Sequence, residues 1–231
     1  MAQFKNSNYR NARKVFRSIP TRTVDPTVLE AVGALAAAQA APTTATMRAA
    51  NRLLGYLRRH PDNGITYAAS DMQLRVVSDA SYNSRPKGRS VAGGIMYLGG
   101  SATALNGAIV AVSTLVDVVV ASAYEAELAA VYTNMQRAEW LRTILAALGY
   151  PQGTTEIVTD NSVAVAFAND LCKQTRSKSI DLRFHWVRDR CRQRHFDVAY
   201  VKGSDNSADF YTKALPRKTF HAWSTRMVTT V

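Results

Sequence analysis

Two cysteines, Cys172 and Cys191, are all that this chain of 231 residues carries, and they lack the close spacing of paired metal ligands. That excludes a disulfide scaffold and a zinc knuckle, and it fits a reducing intracellular compartment such as cytoplasm or nucleus. No apolar run approaches the roughly 20 residues that cross a bilayer, so no membrane partner is expected. There is no internal repeat and no long low-complexity tract. The first 24 residues contain no acid, yet they hold Lys5, Arg10, Arg13, Lys14, Arg17 and Arg22. They also lack the apolar core of a secretory signal. Two readings of this arm stand side by side: an Arg-rich transit segment for an organelle such as the mitochondrion, or a basic arm that contacts RNA.

Apolar residues make up 47% of the chain, which is enough for a core. The net charge is +12 and the isoelectric point is about 10. Such an excess of cations favours a polyanionic partner, most often nucleic acid. The length fits one ordinary domain with an appendage, or two small domains.

The chain is organised around Leu74-Arg75-Val76-Val77-Ser78-Asp79-Ala80-Ser81-Tyr82. This reads as a β-strand, with β-branched valines running into a carboxylate. A buried Asp is costly unless something pairs with it, and a metal ion is one such partner. Three further acids occupy comparable settings. Asp160 ends the apolar run Ile157-Val158-Thr159, Glu127 lies early in a long helical pattern, and Asp209 follows Asn206-Ser207-Ala208. Four acids on separate elements are able to converge on two hard cations.

Taken in order, the pattern predicts a helix over 28–40 and an amphipathic helix over 46–59, with a turn at 61–64 and a short strand at Ile65-Thr66-Tyr67. Strands are then expected at 74–80, 90–98 and 102–112. A long helix follows at 122–148, then a strand at 155–159 and helices at 161–169 and 177–193. A strand at 196–202 and a helix from about Ser204 complete the series. The order from residue 71 is βββαβααβα, which suggests an α/β fold with a mixed sheet and helices on both faces.

Six short words occur along this pattern. They are Ser78-Asp79-Ala80-Ser81-Tyr82, Arg89-Ser90 with Ala92-Gly93-Gly94, and Ala121-Ser122-Ala123-Tyr124-Glu125-Ala126-Glu127. Further on come Thr159-Asp160-Asn161, then the run from Arg176 to Arg188, and Ala208-Asp209-Phe210-Tyr211-Thr212-Lys213. In this order and spacing they resemble the ribonuclease H region of polyproteins from copia-type (Pseudoviridae-like) LTR retrotransposons. The resemblance covers about Asp25 to Pro216. The polymerase's paired-aspartate signature is absent. The resemblance implies a ribonuclease H-like fold, a five-stranded mixed sheet of order 3-2-1-4-5, with an N-terminal helical segment added. It divides the chain into a basic arm (1–24), a remnant of the polymerase connector (25–70), the ribonuclease H-like domain (71–215) and a C-terminal tail (216–231).

The activity so implied is endonucleolytic cleavage of the RNA strand of RNA–DNA hybrids. Asp79, Glu127, Asp160 and Asp209 are carried over as catalytic metal ligands. Two Mg²⁺ ions, with Mn²⁺ as an alternative, would activate water and stabilise the phosphorane when held about 4 Å apart. The loop Lys202-Gly203-Ser204-Asp205-Asn206 has no histidine, which leaves proton transfer unassigned, and His195 reads as a surface or core residue. Among the bases from Lys173 to Arg194, Arg176, Arg183 and Arg190 recur every seven residues and form one stripe. With Lys178 they are the expected phosphate contacts, which position a nucleic acid without reading its sequence.

Helix phase separates two nearby acids. Stepping from Glu127 meets Val131, Ala138 and Leu145, in an apolar stripe with Leu128, Met135 and Leu148. Stepping from Glu125 meets Ala129, Tyr132, Gln136 and Glu139. Glu127 is therefore expected on the sheet side. An alternative function keeps the fold and drops the reaction: a domesticated, free-standing remnant serving as a structural RNA-binding subunit of a ribonucleoprotein such as an organellar ribosome. The partners expected are an RNA–DNA hybrid or structured RNA, together with the polymerase part of the same polyprotein or a ribonucleoprotein.

Overall fold

The computed structural model describes residues 25–99, 105–171 and 182–230. The basic arm at 1–24 lies outside them. Strand β1 (Leu74–Arg85) takes the centre of a five-stranded sheet. Strand β2 (Arg89–Leu98) returns beside it after a turn at Pro86–Gly88, in which Lys87 and Gly88 both have positive φ. Strand β3 (Ala108–Leu115) forms one edge. Helix α3 (Ala123–Ala147) then crosses the sheet, so β4 (Thr155–Thr159) runs parallel to β1. Helices α4 (Ser162–Ala168) and α5 (Leu182–Arg192) lead to β5 (Phe196–Tyr200), parallel to β4. The spatial order is β3-β2-β1-β4-β5. This is the ribonuclease H-like topology expected from the resemblance.

Alternation along β1 sends Val76 and Val77 to opposite faces. Val76 joins Met96, Val112, Ile157 and Val198 under Val131, Met135 and Ala138 of α3. Val77 joins Ile95, Tyr97 and Val158 on the other face. That second face is covered by elements from both ends of the described chain. Helix α1 (Leu29–Ala37) brings Leu29, and α7 (Arg217–Met227) brings Trp223 and Met227. Between them, α6 (Asp209–Thr212) brings Phe210 and Tyr211. Helix α2 (Thr44–Arg59) opens on a capping box in which Thr43 and Thr46 satisfy each other's backbone groups. An ion pair of 2.7 Å between Glu30 and Arg85 fastens α1 to the end of β1.

Several boundaries differ from those read in the sequence. Strand β1 continues to Arg85, because a hairpin with β2 extends past the valine run and carries polar residues with it. Strand β3 is Ala108–Leu115; of the expected 102–112, residues 105–107 are not strand and 102–104 lie outside the described residues. Ile65-Thr66-Tyr67 is not a strand. Instead Asn63–Gly64 form a two-residue ladder with Thr229–Thr230, a pairing no local pattern announces. The helix expected from Ser204 is a 3-10 turn at Gly203–Asp205 followed by α6 and α7. Leu148 is 66% exposed rather than part of the sheet-facing stripe, since it lies past the last turn that reaches the sheet.

Candidate active site

Four segments meet midway along β1, where it passes the end of β4. Asp79 stands opposite Gly93 in the β1–β2 ladder. The parallel register pairs Val76 with Ile157 and Val77 with Val158. The same offset, carried two residues on, sets Asp160 level with Asp79. Asn161, not Asp160, caps α4, its side chain accepting from Val163 N at 3.1 Å and Ala164 N at 3.0 Å. Asp160 is thereby left outside the helix's own capping.

Asp209 arrives through a close approach. A Cβ on Gly93 would lie 2.4 Å from Thr212 Cγ2 and 3.0 Å from Ala208 O, so only glycine lets α6 rest on β2. Asn206 pins the preceding loop by donating to Ser78 O at 3.2 Å. Thr212 Oγ1 donates a short hydrogen bond to Asp79 Oδ2. The outcome is one cluster: ligand atoms of Asp79, Asp160 and Asp209 all lie within 4.8 Å of one another.

Glu127 stands beside this cluster rather than within it. It is 8% exposed, in the second turn of α3, and Thr159 Oγ1 donates to its Oε2 at 3.3 Å. Glu125 turns elsewhere and accepts from Ala121 N at 2.7 Å. The electrostatics mark the whole group as short of positive charge. Burial, then the neighbouring Asp79 and Asp160, push the Glu127 carboxyl up to about 9. Burial and Asp209 push Asp79 up to about 7, against the hydrogen bond from Thr212 and the charge of Lys213. Lys213 Nζ lies 2.6 Å from Asp209 Oδ1. Partial burial disfavours its ammonium, yet the bond to Asp209 and the surrounding acids hold its pKa above the usual lysine value.

No family model matches the chain. It is 28% identical over 195 residues to the Retrovirus-related Pol polyprotein from transposon TNT 1-94 of Nicotiana tabacum, a match covering 84% of this chain and 14% of that one. It is 29% identical over 153 residues to the transposon Ty1-DR5 Gag-Pol polyprotein of Saccharomyces cerevisiae, covering 65% of this chain and 8% of that one. This chain is a relative of retrotransposon Pol polyproteins. It spans a small fraction of their length. Among solved structures it is similar to RNase H1 from the halophilic archaeon Halobacterium salinarum NRC-1, with 16% identity, 61% of this chain and 94% of that chain covered, and a TM-score of 0.41.

The bases expected to touch nucleic acid in this Pol relative are only partly in view. Arg176 and Lys178 lie outside the described residues. Arg183 and Arg190 are half-buried on α5, their guanidinium carbons 6.0 Å from the Tyr132 ring centre and 5.4 Å from that of Trp186. Arg183 lines a cleft of about 580 Å³ with Arg89, Arg137 and Tyr132. Arg188, on the same helix, is committed to the fold. It is 5% exposed, pairs with Asp170 and lies over Phe167. His195 is likewise engaged, its Nδ1 lying 2.9 Å from Glu139 Oε1.

Four residues at or under the cluster have a part in the site that the sequence did not assign to them. The spacing of Asp209 and Lys213, four apart on a helical turn, signals the pair they form. Asn134 sits seven residues after Glu127 on the apolar face of α3, a polar residue in an oily column. Its Nδ2 donates to Ser78 Oγ at 3.0 Å and Gly93 O at 2.8 Å, locking α3 onto the two central strands. Thr212 and Asn206 carry no local signal, because their partners are more than a hundred residues away.

Proposed function

We propose that this chain is the ribonuclease H of a copia-type retroelement, cleaving the RNA strand of RNA–DNA hybrids by a two-metal mechanism. The observation that carries the reading is the convergence of Asp79, Asp160 and Asp209 to within 4.8 Å. Their chemistry fits Mg²⁺, or Mn²⁺ in its place. All offer hard carboxylate oxygens, and Asp79 and Glu127 are driven toward their neutral forms when no cation stands among them. Asp79, Asp160 and Asp209 are the residues to hold the ions, with Glu127 the fourth acid on the α3 side. The bound ions supply water activation and charge neutralisation at the scissile phosphate.

The protein's own part is positioning. Thr212 fixes the rotamer of Asp79, and Lys213 holds Asp209 on the open side of the cluster. Glu127 is set by Thr159 against the end of β4. Arg176, Lys178, Arg183 and Arg190 would grip backbone phosphates, which fixes register without sequence preference. RNA is told from DNA through its 2′-hydroxyls and groove shape. Residues 71–215 form the catalytic body in this reading, 25–70 the remnant of the connector, and the polymerase part of the same polyprotein is the natural partner.

Folded protein supplied with Mg²⁺ should nick the RNA strand of an end-labelled hybrid and spare duplex DNA. Asp79→Asn should abolish the nicking. If the parent and Asp79→Asn both leave the hybrid intact, the reading fails, and the chain is better described as a structural RNA-binding subunit.

A further inference from the structure

The carboxylate cluster leaves a second recess unexplained. Across the sheet face covered by α1, α6 and α7, helices α2 and α7 border a cleft of about 800 Å³. That size falls within the roughly 300–1,000 Å³ of small-ligand pockets, enough for a nucleotide. The wall contains rings in contact. The His60 imidazole lies 4.6 Å from the Tyr56 ring at an angle of 39°, and Tyr56 meets Phe220 edge-on at 5.9 Å. His60 is exposed, as are Arg217, Lys218 and His221, which line the same cleft.

The flanking sequence is one-sided in charge. Between Glu30 and Asp62 it has Arg48, Arg52, Arg58 and Arg59 and no acid, and after Asp209 it has Lys213, Arg217, Lys218 and Arg226 and no acid. Asp25, bonded to Asn63 of the cleft wall, is 4% exposed and accepts from Thr27 N and Asn63 Nδ2. Asp62 does not line the cleft.

An exposed ring beside the exposed cations Arg217 and Lys218 is the recognition chemistry of single strands: a base stacks on the ring and phosphates sit on the cations. A duplex keeps its bases stacked within and has use only for the cations. We propose that the α2–α7 cleft binds single-stranded nucleic acid, with a base stacked on the His60–Tyr56 pair and the adjoining phosphates on Arg217 and Lys218. The cleft is physically joined to the carboxylate cluster. Phe220 packs on Phe210 with ring centres 4.8 Å apart, and Phe210 follows Asp209 on α6. The wall of the cleft is therefore linked by packed rings to the helix that carries Asp209. Binding there requires no cleavage, so the proposal stands or falls apart from the nuclease reading.

Fluorescence anisotropy on the full chain tests it, with a short labelled RNA strand, a duplex DNA of equal length and a series of salt concentrations. The double variant Arg217→Glu/Lys218→Glu should bind the single strand at least tenfold more weakly. Its plot of log affinity against log salt should be shallower by about 1.4, the loss of two phosphate contacts at about 0.7 each. His60→Ala should weaken the single strand by about tenfold while leaving the duplex unchanged, since only the single strand offers a base to stack. His60→Phe, which keeps a ring, should restore the parent affinity. Asp79→Asn should bind the single strand like the parent, which separates this outcome from any failure of cleavage. Parent-like affinity in the double variant would overturn the proposal. So would a His60→Ala effect shared equally by duplex and single strand, or no rescue by His60→Phe.

Discussion

Carboxyl groups that face one another without a cation settle their repulsion by holding protons. Asp79 is pushed to about 7 and Glu127 to about 9, from ordinary values of 3.8 and 4.5. Each folded-state pKa lies above its unfolded value, so the folded protein binds protons more tightly across that interval. The contribution of these two groups to the stability of the metal-free protein should therefore be fullest below about pH 4. It should fall as pH rises from about 4 to about 7 through Asp79, and further to about 9 through Glu127. Asp79→Asn removes one charge from the cluster. In urea melts without metal it should raise stability at pH 8 by on the order of 3 kcal/mol and change little at pH 4. Mg²⁺ should stabilise the parent at pH 8 by mass action and act less on the variant. A variant less stable than the parent at pH 8 would mean that Thr212 and Lys213 already compensate the charge. The two acids of α3 should divide in a hybrid-cleavage assay. Glu127→Gln should abolish turnover with the fold intact. Glu125→Gln, which weakens only the bond to Ala121 N, should retain most of it and cost about 1 kcal/mol or less. The four acids were legible because each lies in or directly beside a locally recognisable element. Thr212 was not, because what matters about it is a contact with Asp79, 133 residues away.

Adjacent glycines on β2 let two helices dock on opposite faces of one strand. A Cβ on Gly93 would strike Thr212 and Ala208 O of the α6 segment, and one on Gly94 would lie 2.2 Å from Asn134 Oδ1 of α3. The sequence shows a Gly-Gly pair within a strand, which by itself signals only a weak or bulged strand. The structure supplies the reason, which is close approach on both sides. Gly93→Ala should push α6 away from β2 and move Asp209 out of reach of Asp79. The expected result is loss of hybrid cleavage at a stability cost of about 1–3 kcal/mol, the usual price of overpacking. Gly94→Ala displaces Asn134 instead and should destabilise by a similar amount, with less effect on cleavage per folded molecule. Comparing cleavage rates with chemical melts of the two variants checks this; equal loss of cleavage in both would mean that α6 is not the sensitive element. Elements with a strong period, such as β4 and α3, were read within a residue or two. Those defined by partners were not. Strand β1 gained its last five residues from pairing with β2, and the ladder at Asn63–Gly64 exists only because Thr229–Thr230 come back to it.

At the scale of the whole molecule, one sheet face is closed by both ends of the described chain. Leu29 from α1 and Trp223 and Met227 from α7 pack with Val77, Ile95, Tyr97 and Val158 of the sheet. Nothing in the local pattern of either end reveals this, since each is a short helix whose buried residues find partners only across the sheet. The arrangement has a thermodynamic consequence. Helices α1 and α7 have too little apolar surface of their own to stay folded alone, and the sheet face they cover would otherwise expose Tyr97 and Ile95 to water. The ends and the sheet should thus unfold together, in a single transition that tryptophan fluorescence and far-ultraviolet circular dichroism report at the same denaturant concentration. Trp223 is 7% exposed, and replacing it with Ala removes a ring from this shared core. The variant should lose about 3–5 kcal/mol, with the midpoint falling and the denaturant dependence unchanged. A folded fraction of Trp223→Ala should still carry Asp79, Asp160 and Asp209 in place, so cleavage per folded molecule should hold near that of the parent. If α7 were instead a separate appendage, Trp223→Ala would leave the main transition where it was, and the two spectroscopic probes would part company.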